Sequence, residues 1–192
     1  MIELRKRYFA SFEADAFGGN VADYRRMINS LQNVGGVKVY PVWQGGGTVK
    51  VVIIDQGWRS PGETELADLQ AQIDPEKRGE GYGIAPIGHR VTAEGVVEVS
   101  CSITLGMTLA EGAVRETVVE EIRKRFEVYL EELRKNWADS SYLTVRISYL
   151  ESYALETEGV VDVFDCRING GSSNLILGEN EVPVLGEIGV TA

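Results

Sequence analysis

The eleven residues GEGYGIAPIGH, from Gly79 to His89, run straight into Arg90-Val91-Thr92, and their reading decides how the rest of the chain is organised. Gly79, Gly81, Gly83 and Gly88, with Ala85, Pro86 and a terminal His89, offer no nucleophile and no base to pair with one. Glycine reaches positive φ and lets backbones approach closely, and proline holds its own φ, so the stretch suits a rigid connection. It follows a helix signature, whereas a dinucleotide-binding loop must follow a strand. The other glycine cluster, Gly45 to Gly47, leads into Thr48-Val49-Lys50 and lacks the Gly-Lys-Ser/Thr order of a phosphate loop. Both clusters read as structural turns.

On the N-terminal side of that stretch, Ser60, Pro61 and Glu63 supply an N-cap, a first-turn proline and a capping-box acid. Leu66, Leu69 and Ile73 then form a buried stripe that Pro75 ends. Before it, Val37, Val39 and Val42 lead through Gly45-Gly46-Gly47 into the β-branched run Val49 to Ile54, a hairpin with a wide glycine turn. Further back, Asn20 caps a helix with Val21, Tyr24, Ile28 and Leu31 on one face, stopped by Gly35-Gly36.

On the C-terminal side, Val91 to Leu105 is strand-like, and Gly95 makes it two strands or one bulged one. From Ala113 to Trp137, Val114, Val118, Ile122, Phe126, Tyr129, Leu133 and Trp137 recur at helical spacing. Leu143, Val145 and Ile147 alternate as a strand, and Ser148 with Glu151 form a capping box for a helix ending near Gly159. Val160 to Ile168 and Ser172 to Leu177 flank Asn169-Gly170-Gly171, a hairpin-turn signal. Gly36-Val37-Lys38-Val39 and Gly159-Val160-Val161-Asp162-Val163 hold matching places in the two halves. The expected fold is α+β, two lobes of similar helix-plus-hairpin plan, with a long amphipathic helix in the second. Residues 1–78 make the first lobe, 79–90 the glycine-rich connector, and 91–192 the second lobe with its C-terminal tail.

With 192 residues, 44% hydrophobic and 25% charged, the chain suits one large or two small globular domains. Its formal net charge of -10 repels a phosphate backbone or an anionic membrane surface, so no nucleic acid is expected as a partner. No run of apolar residues is long enough to span a bilayer, and Met1 to Arg7 alternates charges where a signal peptide would turn apolar. Cys101 and Cys166 lie in separate apolar stretches and read as buried reduced thiols, with a disulfide or metal pair as the alternative.

His89 lacks a sequence partner for acid-base work and reads as a polar residue closing a turn. No metal-ligand spacing is present, so neither metal nor cofactor is expected. The charged face of the long helix, from Glu120-Glu121 to Arg134-Lys135, is a solvated surface or a partner-facing one. Tyr40, Trp43 and Trp58 pack in the core or hairpin, unless they form an exposed glycan-binding cluster. The tail from Gly178 to Ala192 is apolar enough to dock, on its own domain or on a neighbour.

Several ordered segments together resemble the phage baseplate assembly protein J family of Mu-like phages and PBSX-type prophages. They are Ala16-Phe17-Gly18-Gly19-Asn20 with Asp23-Tyr24, Val37-Lys38-Val39-Tyr40-Pro41, Gly45-Gly46-Gly47-Thr48-Val49, Ile73-Asp74-Pro75, the segment from Gly79 through Tyr82 to His89, and Asn180-Glu181-Val182-Pro183-Val184-Leu185-Gly186. The resemblance implies a structural, non-enzymatic component of a contractile tail baseplate, joined into wedges around the tail tube and assembled in the host cytoplasm. It implies contacts with other baseplate proteins and with copies of itself, and it makes Gly79, Gly81, Tyr82, Gly83, Ala85, Pro86, Gly88, His89, Asn180, Glu181, Pro183 and Gly186 the expected structural and assembly positions. Members usually carry a further N-terminal region, so the chain is expected to match a C-terminal portion. The rival expectations are a ligand- or glycan-binding tail module, or a small hydrolase built near Tyr82 and His89.

Overall fold

The structure, a computed structural model, describes residues 18–191; Ala16 and Phe17 of the first matched segment, and the charged start of the chain, lie outside the described residues. Helix α1 (Val21–Asn29) begins where the Asn20 side chain accepts the Asp23 N–H at 3.0 Å, and it buries Tyr24 and Ile28. It ends at Ser30, ahead of the glycines expected to stop it. Gly35 and Gly36 instead lie inside strand β1 (Val34–Pro41), at a register shift where a Cβ on Gly35 would fall 2.1 Å from the Asp55 carbonyl oxygen.

β1 pairs antiparallel with β2 (Thr48–Asp55), as the hairpin expectation held. The β2 run from Val51 to Ile54 is continuously apolar because both of its faces are covered. Val49, Val51 and Ile53 join Tyr24, Ile28 and Ile73 in one cluster, while Val52 and Ile54 join the cluster around Ile103 and Phe126. Helix α2 (Glu63–Ile73) then carries the chain to β3 (Arg90–Gly95), which runs parallel to β2. The expected Ser60 cap is not used: Gly62 is the N-cap, and the Ser60 N–H is accepted by Glu98, whose carboxylate also pairs with Arg59 at 2.8 Å.

The strand-like run after the glycine stretch is two strands, β3 and β4 (Val97–Leu109). The chain changes sheets between them: the Val96 N–H bonds to Ile53 in β2, and the Val97 N–H bonds to Asn180 beside the second sheet. In that sheet β4 is central, antiparallel to β6 (Val160–Ile168) and parallel to β8 (Glu181–Thr191). Each three-stranded sheet therefore has one antiparallel and one parallel pair, but the central strand comes second in the first sheet and first in the other.

Helix α3 (Arg115–Lys135) packs on β8 and buries Val118, Ile122, Phe126, Tyr129 and Leu130. Its 21 residues span about 31 Å. Val114 stays exposed as its N-cap, and Trp137 is buried in a following 3-10 turn (Trp137–Asp139). The expected strand around Leu143 to Ile147 shrinks to β5 (Thr144–Val145), since α4 (Ile147–Leu155) already begins there. Ser148 sits inside α4, and the Asn174 side chain caps the Ile147 N–H at 3.0 Å in place of the Ser148 and Glu151 box. The second hairpin also differs: β7 (Leu175–Ile176) pairs with β5, not β6. The tight turn itself forms as its sequence implied: Ile168 and Gly171 exchange backbone hydrogen bonds across Asn169 and Gly170, both at positive φ. Asn169 also exchanges hydrogen bonds with Ser100 and Ser102 of β4 at 2.8 to 3.0 Å. The C-terminal tail docks on its own chain as β8.

Candidate functional site

Asp74, 2% exposed at the end of α2, organises the glycine-rich stretch. Its carboxylate accepts the Gly79 N–H at 3.0 and 3.1 Å and the Val91 N–H at 2.9 Å. The far end closes through Gly88 N–H to the Gly79 carbonyl and Arg90 N–H to the Gly47 carbonyl, both 2.8 Å. Between these ties, the N–H groups of Ile84 and Ala85 satisfy the Gln72 and Ile73 carbonyls at the end of α2. Gly83 permits this approach, because a Cβ there would stand 2.5 Å from the Ile73 oxygen. Ala85 is buried in the first cluster. The segment expected to connect two lobes is thus an Ω-shaped excursion held to the first sheet at both ends, and the passage between sheets lies at Gly95 to Val97.

His89 is held inside this closure by Tyr24. Its Nδ1 lies 2.9 Å from the Tyr24 hydroxyl, and the two rings stack with centroids 6.0 Å apart. Burial, followed by the nearby Asp74 carboxylate, drives the Tyr24 hydroxyl well above the ordinary tyrosine range, so the phenol stays protonated. Pro86 packs beside Gly19 and His89. Tyr82 and Ile87, by contrast, stand out from the tip, each 83% exposed, and a Cβ on Gly81 would meet the Ile87 side chain at 2.5 Å. The loop presents two large apolar side chains on a pinned backbone.

The C-terminal motif faces inward instead. Tyr40 donates to the Asn180 side chain at 2.6 Å, Glu181 accepts the Gly178 N–H at 2.6 Å, and the Pro183 carbonyl takes the Arg134 guanidinium at 2.9 Å. Gly186 sits at the β4–β8 register shift, where a Cβ would fall 2.6 Å from Ser100 Oγ. Beside it, Lys38 reaches from β1 to donate to the Glu179 carbonyl at 2.7 Å, with its ammonium 4.7 Å from the Trp137 ring centroid. Burial first, with Arg25 adding to it against Glu179, holds Lys38 below the ordinary lysine range. The motif therefore joins the two sheets.

Tyr40 and Trp58 pack against the core, and Lys50 lies over the Tyr40 and Trp43 rings at 5.3 and 5.2 Å, so the three aromatics form no common exposed platform. Cys101 and Cys166 are buried free thiols. Among the described residues, no group of three or more His, Cys, Asp or Glu side chains is placed to hold a metal, and no helix is long and apolar enough to cross a membrane. Sequence reading gave Gln70 no role and placed Arg134 on the charged face of the long helix; Lys38 and Asp74 stood within matched segments, with no function assigned to either side chain.

The family model for the Baseplate J-like central domain matches residues 16–95, and that for the Baseplate J-like protein C-terminal domain matches residues 101–191. The two ranges meet where the chain passes between the sheets. The uncharacterised protein YqbT of Bacillus subtilis (strain 168) is 30% identical over 97% of this chain and 52% of its own length. The phage-like element PBSX protein XkdT of the same strain is 29% identical over 96% of this chain and 51% of its own. The chain spans about half the length of these curated relatives. Among solved structures, a chain of the anti-feeding prophage baseplate shares the fold, with a TM-score of 0.52 at 9% identity, covering 88% of this chain and 37% of that one. With both domain models matched in order along nearly its whole length, the chain belongs to the Baseplate J-like family.

Proposed function

We propose that this chain is a structural component of a contractile phage or prophage tail baseplate, acting by protein-protein assembly into wedges around the tail tube. The observation that carries the reading is the ordered pair of Baseplate J-like domains. The site geometry supports it, because a pinned loop that presents Tyr82 and Ile87 loses little ordering entropy when a partner covers them. Its partners are other baseplate proteins and copies of itself, its place is the tail baseplate, and its assembly takes place in the host cytoplasm. The work is mechanical and non-enzymatic. Gly79, Gly81, Gly83 and Gly88 shape the contact loop, while Asn180, Glu181, Pro183 and Gly186 hold the sheets that carry it.

Immunogold labelling and mass spectrometry of purified tails test the assignment, and a tail whose baseplate lacks this polypeptide overturns it. The Tyr82→Ala/Ile87→Ala variant is expected to keep its melting temperature and lose incorporation; normal incorporation removes the loop from the contact.

A further inference from the structure

The outer face of α3 carries a charge pattern that becomes its own complement when the helix is reversed. At about 100° per residue, Glu121, Lys124, Arg125, Glu131, Glu132 and Lys135 all project within about 60° of Val128, opposite the buried Ile122, Phe126 and Leu130. Val128 is 60% exposed, and the Lys124 and Glu132 side chains are 64% and 61% exposed. Three carboxylates and three cations make this strip neutral on a chain whose net charge is -10. Beside Val128, Tyr129 and Tyr153 line a groove of about 300 Å³, and Tyr149 stands edge-on to Tyr129 at 5.6 Å.

We propose that this face is the contact between two copies of the chain, with their α3 helices antiparallel about a two-fold axis at Val128. The rotation brings Lys124 opposite Glu131 of the second copy, Arg125 opposite Glu132, and Glu121 opposite Lys135, each pair formed twice. Val128 meets its equivalent at the centre, and the tyrosine groove receives the aliphatic stems of the second helix. A parallel arrangement would set like charges face to face, so charge selects the antiparallel one. The Lys124–Glu121 pair and the Lys135 pairs with Glu131 and Glu132 lie on the surface, where exchanging partners is cheap. One helix face is small beside the ~800 Å² per partner of stable complexes, so the isolated chain dimerises weakly, and the assembly strengthens the contact by holding copies together. The inference deepens the assembly reading and rests on it for its setting alone.

Sedimentation equilibrium of the whole chain tests the surface. The unaltered chain is expected to dimerise reversibly at micromolar to submillimolar concentration. Lys124→Glu and Glu131→Lys each weaken the dimer by at least about tenfold, since like charges then face each other twice. An equimolar mixture of the two variants returns to within about threefold of the unaltered chain, because the introduced glutamate faces the introduced lysine and a native pair survives at the other end. Unchanged melting temperatures establish that both variants fold. A chain that stays monomeric throughout, variants that dimerise undiminished, or a mixture that fails to restore dimerisation overturns the surface. Labelling of tails reads the assembly proposal separately.

Discussion

The Oδ2 atom of Asp74 accepts the Val91 N–H at 2.9 Å, which ties the end of α2 to the outer edge of β3. Gln70, one turn earlier, accepts the Ala93 N–H at 2.8 Å and donates to the Val91 carbonyl at 3.0 Å. Two helix side chains thus occupy the backbone groups that an edge strand would otherwise present to another chain. Because Asp74 also holds the Gly79 N–H, the same carboxylate fixes the base of the glycine-rich loop.

Asp74→Ala is expected to lose about 3 kcal/mol of stability, since two buried N–H groups lose a charged acceptor. Asp74→Asn keeps one accepting oxygen but turns an NH2 group toward a donor, and should lose about half as much. Urea denaturation of both variants checks the order.

Two glycines of the loop should respond differently to alanine. At Gly83 the new Cβ would crowd the Gln72 and Ile73 carbonyls at 2.7 and 2.5 Å, so backbone must shift at a cost of about 2 kcal/mol. At Gly88 nothing lies within 4 Å, and only the φ of +87° is unfavourable, costing about 1 kcal/mol. Melting temperatures of Gly83→Ala and Gly88→Ala give the comparison.

Burial pushes the Cys101 thiol up to about 11, and burial with the Glu151 and Asp165 charges pushes Cys166 up to about 12, against an ordinary 9.0. Raised folded values mean that this stabilisation is complete below pH 9.0 and is lost as the pH climbs toward the folded values. Each thiol contributes a slope of at most about 1.4 kcal/mol per pH unit there. Denaturation at several alkaline pH values should show a shallower decline in the Cys101→Ala/Cys166→Ala variant; an unchanged slope refutes the account.

Arg134 is 3% exposed and holds the Pro183 carbonyl at 2.9 Å and Glu127 at 2.7 Å. Arg134→Ala should cost about 3 kcal/mol through the orphaned carbonyl and the void left under β8. Arg134→Lys should recover only part of it, because an ammonium lacks the fork that reaches both acceptors. Amide exchange along β8 would report the loosening directly.

The elements most legible in the sequence were those whose periodicity reflects burial on one side. Val118, Ile122, Phe126 and Tyr129 lie buried along α3 as their spacing implied, and Asn20 caps α1 as its position implied. Boundaries set by capping chemistry were less legible. Ser60 and Ser148 look like caps, yet Glu98 engages the first residue and Asn174 replaces the second, from 38 and 27 residues away along the chain.

By itself the sequence determined the α+β class and the stretch from Gly79 to His89 as a structural turn, because glycine, proline and apolar spacing act through local backbone sterics and one-sided burial; the family followed from the resemblance of its ordered segments. Only the tertiary structure decided that this stretch closes onto Asp74 and the first sheet, that β7 leaves β6 for β5, and that Lys38 and Arg134 are buried. Those outcomes depend on which unsatisfied backbone group each side chain meets across the fold, and partners so distant leave no trace in local spacing.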